Sequence, residues 1–226
     1  MPKISCIIPT YNEGPRIGKV LKVVYRHPLL HEIIVVDDNS CDNTKQIIRT
    51  FPAIQLIEHT VNQGKSKSVA DGIKVATGNY ILLLDADLLG LNKKNINDLI
   101  EPIEKAQAEV TISFRKNAWP LWPFRNLDYL SGERIFPKAR VAHLIEDISL
   151  LPNYGLEVFL NKVIIQDQLH LAVVLWPNVE NVFHHRKHGW WQGTKNIVKI
   201  WRDVLCTISI IEMYTQNIKM RRLMIR

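Results

Sequence analysis

Five short apolar runs, spaced by helix-length stretches, constrain this chain more than any other feature. They are Ile4–Ile8, Glu32–Val36, Ile54–Ile57, Tyr80–Leu84 and Val110–Phe114. Between them, apolar residues recur at helical spacing. Ile17, Val20, Leu21 and Val24 share one face; Ile47, Ile48 and Phe51 follow an Asp42-Asn43-Thr44 cap; Val69, Ile73 and Ala76 follow Asn62-Gln63-Gly64-Lys65 and stop at Gly78. A further helix is expected over Asn95–Lys105. Strands buried on both faces and alternating with helices of this length predict an α/β protein with a mostly parallel sheet and right-handed crossovers. Sheets of this kind bind ligands beyond the carboxyl ends of their strands. Three polar clusters fall there, at Thr10–Glu13, Asp37–Ser40 and Asp85–Asp87, and one shared edge is the economical reading.

The second half is less regular. Residues 116–130 hold Trp119, Trp122, Phe124 and Tyr129 with two prolines and read as an ordered aromatic loop. A helix is expected from Ser131–Glu133 to about Ile148, another over Gly155–Gln166, strands over Leu169–Leu175 and Val179–His185, and a last helix from Trp190 onward. One domain is expected over 1–226: a regular first half to 115, a less regular part over 116–189, and a basic amphipathic helix over 190–226.

Charge sharpens this division. The net charge is +7, yet residues 1–183 balance at 20 basic against 20 acidic, and residues 184–226 hold nine against two. Such a tail suits an anionic partner: a phosphorylated substrate, an acidic membrane surface or, with less support, nucleic acid. A solvated or core-packed basic helix, or one at a homodimer contact, explains the same residues. No uncharged run approaches the ~20 residues that cross a bilayer. Three widely spaced cysteines and a first strand without a leader pattern point to a reducing, cytoplasmic setting.

Asp85-Ala86-Asp87 closes the most apolar run of the chain. Two carboxylates one residue apart can hold a hard divalent ion that bridges two phosphates; a polar strand end is the bland reading. Gly64-Lys65-Ser66 resembles the end of a P-loop, but His59 stands where the first glycine is needed. Lys65 near a helix start remains suited to a diphosphate. Asp37 and Asp38 either introduce a helix or accept the ring N–H of a base. Three histidines within His184–His188 are unusual, and one imidazole there suits a metal shell.

Together these motifs are recognisable. IIPTYNEG, IIVVDDNSCDNT and NQGKSKSVADGIKVATGNYILLLDAD, followed by SGERIF, NYGLEVFL and HHRKHG, resemble family 2-like glycosyltransferases of the GT-A fold, densely over residues 4–90 and more loosely over 131–189. The second half is similar to glucosyl-3-phosphoglycerate synthases and to dolichyl- or polyprenyl-phosphate sugar synthases. The resemblance implies a nucleoside pocket lined by Pro9, Tyr11 and Glu13, with Asp38, or Asp37, reading the base. It brings Gly64 and Lys65 to the diphosphate, Asp85 to the ribose, and Mg²⁺ or Mn²⁺ to Asp87, with His185 (His184 as the fallback) joining the metal shell. Glu157 matches a glutamate on the acceptor side of the sugar. Arg134, Arg186 and Lys187 are expected to hold an acceptor phosphate. No Gln-x-x-Arg-Trp is present, which argues against a processive polysaccharide synthase, and the Gly-Arg-Val-Thr loop of phosphoglycerate-acting relatives is missing.

The expected activity is metal-dependent transfer of a sugar from a UDP- or GDP-sugar to a phosphorylated acceptor, either a small phospho-acid or a polyprenyl phosphate. Peripheral membrane contact would run through residues 190–226. The competing expectation is a non-catalytic nucleotide binder of the same fold that acts through its basic tail.

Overall fold

A computed structural model describes residues 1–116, 127–152, 155–181 and 202–225. The first strand, β1 (Ile4–Thr10), leads into α1 (Gly14–Val24), whose Pro15 sits in the first turn, where a missing N–H costs nothing. Next come β2 (Glu32–Asp37), α2 (Thr44–Ile48), β3 (Gln55–Glu58), α3 (Lys65–Val75) and β4 (Tyr80–Leu83). A two-residue strand, β5 (Leu88–Leu89), precedes α4 (Lys93–Glu104), which a reciprocal Asn92–Asn95 capping box starts. The series ends with β6 (Val110–Arg115), β7 (Arg134–Pro137), α5 (Ile145–Leu150), α6 (Gly155–Gln166), β8 (Leu171–Trp176), β9 (Glu180–Asn181) and α7 (Ile210–Leu223).

Seven strands form one sheet in the order β3-β2-β1-β4-β7-β6-β8, and β5 pairs with β9 in a small second sheet. Within β1, Cys6 and Ile8 face one apolar layer with α1 and α4, while Ile7 faces the other with α3. That period of two is what double-sided burial requires. Each buried Val, Leu or Ile contributes roughly 1.5–3 kcal/mol, and this pattern repeats through β2 and β4. The chain moves outward from β1 to β2 and β3, then crosses back to place β4 on the other side of β1. The switch point therefore lies between β1 and β4, where Thr10 and Asp85 end up.

Three expectations change. The helix expected from 131–133 to 148 starts instead as strand β7, antiparallel to both β4 and β6. Ile135 and Phe136 fill opposite layers, and Pro137 favours an extended residue before it; two short 3-10 turns follow, and α-helix begins only at Ile145. Of the strand expected over Val179–His185, Glu180–Asn181 is seen and 182–185 lie outside the described residues. In place of one helix after 190, residues 202–207 are helical and α7 begins anew at Ile210. The hydroxyl of Ser209 accepts from Glu212 N–H at 3.1 Å and caps the new helix. Residues 190–201, and 117–126 of the aromatic segment, lie outside the described residues.

Gly72 lets α3 lie close against β1, because a Cβ there would stand 2.5 Å from Ile7 Cγ2. Gly72→Ala should destabilise the protein by about 1–3 kcal/mol through overpacking, despite alanine's better helix propensity. A lowered urea midpoint with an unchanged slope checks this.

Candidate active site

Two loops are laced together at the carboxyl ends of β1 and β2. Asn12 N–H donates to Ser40 Oγ (2.9 Å), Glu13 N–H to Thr44 Oγ1 (2.9 Å) and Gly14 N–H to Asp42 Oδ2 (3.0 Å). Pro9 and Thr10 lie opposite Val36 and Asp37 in register, and the Tyr11 ring stays about half exposed beside them.

The two aspartates that follow β2 have different roles. Asp38 is fully engaged. Its Oδ1 accepts from Gln63 N–H and contacts His59 Nδ1, both at 2.8 Å, and its Oδ2 accepts from Gly64 N–H at 2.7 Å. The other ring nitrogen of His59 lies 3.0 Å from Asp71 Oδ2. Asp38 thus fixes the turn in which Gly64 takes φ +92°, a conformation that favours glycine. Asp37 spends only Oδ2, on Ser40 N–H. Its Oδ1, like the neighbouring Thr10 Oγ1, is buried with no hydrogen-bond partner among the described residues. Leaving such a group unmet costs about 1–3 kcal/mol, so Asp37, not Asp38, holds acceptor capacity in reserve.

The turn delivers Lys65 to the centre of the site. Its ammonium lies 2.9 Å from Asp85 Oδ1, beyond β4, and 2.9 Å from Glu157 Oε1, on α6. Asn181 Nδ2 donates to Asp85 Oδ2 at 3.1 Å. Gly132 passes so close that a Cβ there would stand 2.7 Å from the same oxygen. Burial alone would raise the Asp85 carboxyl, but Lys65 and Arg115 overcome it and hold the group well below the usual carboxylate range. Burial would likewise lower the Lys65 ammonium, and the two carboxylates reverse this and push it well up. Glu157 Oε2 is buried without a partner among the described residues. Ala86 turns into the core, while Asp85 and Asp87 on either side of it stay half-buried.

Arg134, expected to meet an acceptor phosphate, is fully buried. Its guanidinium donates to Ser131 O from Nε (3.1 Å) and to Asn161 Oδ1 (3.0 Å) and Glu157 O (3.4 Å) from Nη1. This is the placement of a residue that holds the start of α6 and, through it, Glu157. Asn161 Nδ2 donates in turn to Tyr129 O, and Tyr129 O–H to Gln216 Oε1 on α7. Below Asp85, Arg115 pairs with Asp128 (2.8 Å) and Glu133 (3.2 Å). Burial pushes the Glu133 carboxyl up to about 7 despite Arg115, and Asp85 and Asp128 push it the same way.

His184, His185, Arg186 and Lys187 lie outside the described residues. Among the described residues no three His, Cys, Asp or Glu side chains converge to hold a metal. What is present fits a hard cation in chemistry: oxygen donors only, with Asp87 half-buried beyond β4 and a buried acceptor on Glu157. Asp85, already committed to Lys65 and Asn181, is the weaker candidate. Sequence reasoning missed His59, Asp71, Arg115, Asp128, Glu133, Asn161 and Asn181. The SGER stretch hinted at Glu133, but no local pattern marks the others.

The sheet order and the crevice at the β1–β4 switch point define a GT-A fold. Glucosyl-3-phosphoglycerate synthase from Mycobacterium tuberculosis, crystallised with Mn²⁺, uridine diphosphate and phosphoglyceric acid, has the same architecture. It matches with a TM-score of 0.73 at 18% identity, over 91% of this chain and 77% of that one. The chain belongs to glycosyl transferase family 2, whose sequence profile matches residues 5–157. It is 29% identical over 124 residues to a dodecaprenyl-phosphate galacturonate synthase from Rhizobium johnstonii, covering 51% of this chain and 36% of that one. It is also 36% identical over 92 residues to a dolichol-phosphate mannosyltransferase from Pyrococcus furiosus, covering 38% and 26%. These matches span only about a third and a quarter of those two relatives.

The buried Glu133 yields a pH signature. Its folded-state value lies above the unfolded one, so the folded protein keeps a proton that the unfolded chain releases between 4.5 and about 7. Stability from this group is therefore lost as pH rises through that window, by at most roughly 1.4 kcal/mol per pH unit. Glu133→Gln should flatten this part of the profile, measured as thermal midpoints from pH 5 to 8 against the parent.

Proposed function

We propose that this glycosyltransferase moves a sugar from a UDP- or GDP-linked donor to a phosphorylated acceptor, with Mg²⁺ or Mn²⁺ held at Asp87. The observation that carries this reading is the Lys65 ammonium between Asp85 and Glu157, where the start of α3, the end of β4 and the start of α6 meet. Asp37 Oδ1 accepts the ring N–H of the base, and Pro9, Tyr11 and Glu13 wall the nucleoside. Gly64 brings its backbone near the diphosphate, and the first amides of α3 add the positive end of the helix dipole. Asp85 meets the ribose.

As the anomeric bond breaks, negative charge grows on the departing diphosphate, and Lys65 is placed to meet it. A divalent ion at Asp87, with His185 as a further ligand, would add Lewis-acid stabilisation there. Glu157 presents Oε2 towards the sugar carbon as it becomes electron-poor. An ionised phosphate acceptor needs no strong general base, in keeping with a site whose carboxylates are already engaged. Arg186 and Lys187 are the residues assigned to that phosphate, with Arg134 acting behind Glu157. Support for the acceptor class comes from relatives: two are named for polyprenyl phosphates, and one was crystallised with phosphoglyceric acid.

Asp87→Asn should cut sugar transfer by about 10²–10³-fold and remove the Mn²⁺-dependent rise in thermal midpoint with UDP or GDP. Turnover at the parental rate would refute the metal assignment. Asp37→Asn should raise the nucleotide-sugar KM about tenfold or more with kcat retained. Asp38→Asn, by contrast, should lower the thermal midpoint even without nucleotide.

A further inference from the structure

Helix α7 carries its exposed isoleucines on the side away from the protein. Its inward face is Met213, Gln216, Asn217 and Met220, and the Asn217 amide has no hydrogen-bond partner among the described residues for either its nitrogen or its oxygen. Its outward face holds Ile211 and Ile218, 78% and 37% exposed, and Ile210, at the helix start, is exposed as well. Leu205, in the helical turn before it, is exposed too. Helices in folded proteins gain stability by burying an apolar stripe, and α7 leaves much of that gain unused. Lys219, Arg221 and Arg222 lie exposed on the same helix, with Glu212 as its one acid. At ~100° per residue, Ile211, Ile218 and Arg222 fall within about 40° of one another.

Charge decides what covers this face. A second copy meeting it across a two-fold axis would bring a helix of net positive charge, Lys219, Arg221 and Arg222 against Glu212 alone, up to an identical one. An anionic bilayer surface attracts those groups and takes isoleucines into its headgroup boundary. We propose that the outward face of α7 is a docking surface for an anionic membrane, on which the helix lies flat. No helix among the described residues is long and apolar enough to cross one. The attitude of α7 is fixed from behind, by Tyr129 O–H on Gln216 and by Ile225 N–H on Leu171 O at 2.9 Å. Docking would therefore hold the active-site crevice at one orientation to the lipid. This surface goes beyond the donor and acceptor reading, since vesicle binding needs no turnover.

The experiment is co-sedimentation of the full chain with vesicles of phosphatidylcholine alone or mixed with phosphatidylglycerol. Binding is expected only to the anionic vesicles, falling with added salt. Lys219→Gln and Arg222→Gln should each weaken it roughly fivefold, and Ile211→Ser with Ile218→Ser should weaken it further at an unchanged thermal midpoint. No partition to anionic vesicles, or variants that partition like the parent, would overturn the proposal. So would a concentration-dependent dimer that Ile211→Asp dissolves, which would assign the face to a second copy.

Discussion

A single ammonium group joins three elements of this protein. Lys65 comes from the start of α3, and its two carboxylate partners come from opposite sides: Asp85 from the end of β4, Glu157 from α6. Taking three charges partly out of water is costly, and the arrangement holds because each has an opposite neighbour and Asp85 a further hydrogen bond from Asn181. Arg115 repeats the device one layer deeper, between Asp128 and Glu133. The two cations pair with four acidic groups, of which Asp85 lies hard against Gly132.

The turn that presents Lys65 is built just as firmly. Asp38 collects two backbone amides and an imidazole, which makes it a fastening in the protein. Adjacent acidic residues on one strand end thus divide into a structural member and one with an open acceptor. Arg134 is likewise a structural member, enclosed behind Glu157 where a guanidinium holding an acceptor phosphate was expected.

Local pattern carried much of this into view. The runs ending at Thr10, Asp37 and Asp85 are legible because a strand buried on both faces is a continuous apolar stretch, and the polar residues after it mark its carboxyl end. Strand β7 was not legible. It is four residues long, and its extended form comes from lying between β4 and β6, which no window of the sequence contains. The buried ion pairs failed for a related reason: Arg115 and Asp128, or His59 and Asp71, are joined only by the fold. In the last helix the spacing was helical as expected, yet Ser209 restarts the helix between Ile208 and Ile210. That break resets the phase, so Ile208 is buried while Ile211 points out.

Strand β8 closes one border of the seven-stranded sheet, and Met224 bridges to it beside Leu171 in parallel fashion. Open sheet borders invite pairing with foreign strands. Here the first rung of that border is already taken by residues from the protein's own closing segment, anchored by the helix before them. A stray β-segment would have to peel that segment away before it could zip along β8, so the short bridge acts as a guard against self-templated aggregation.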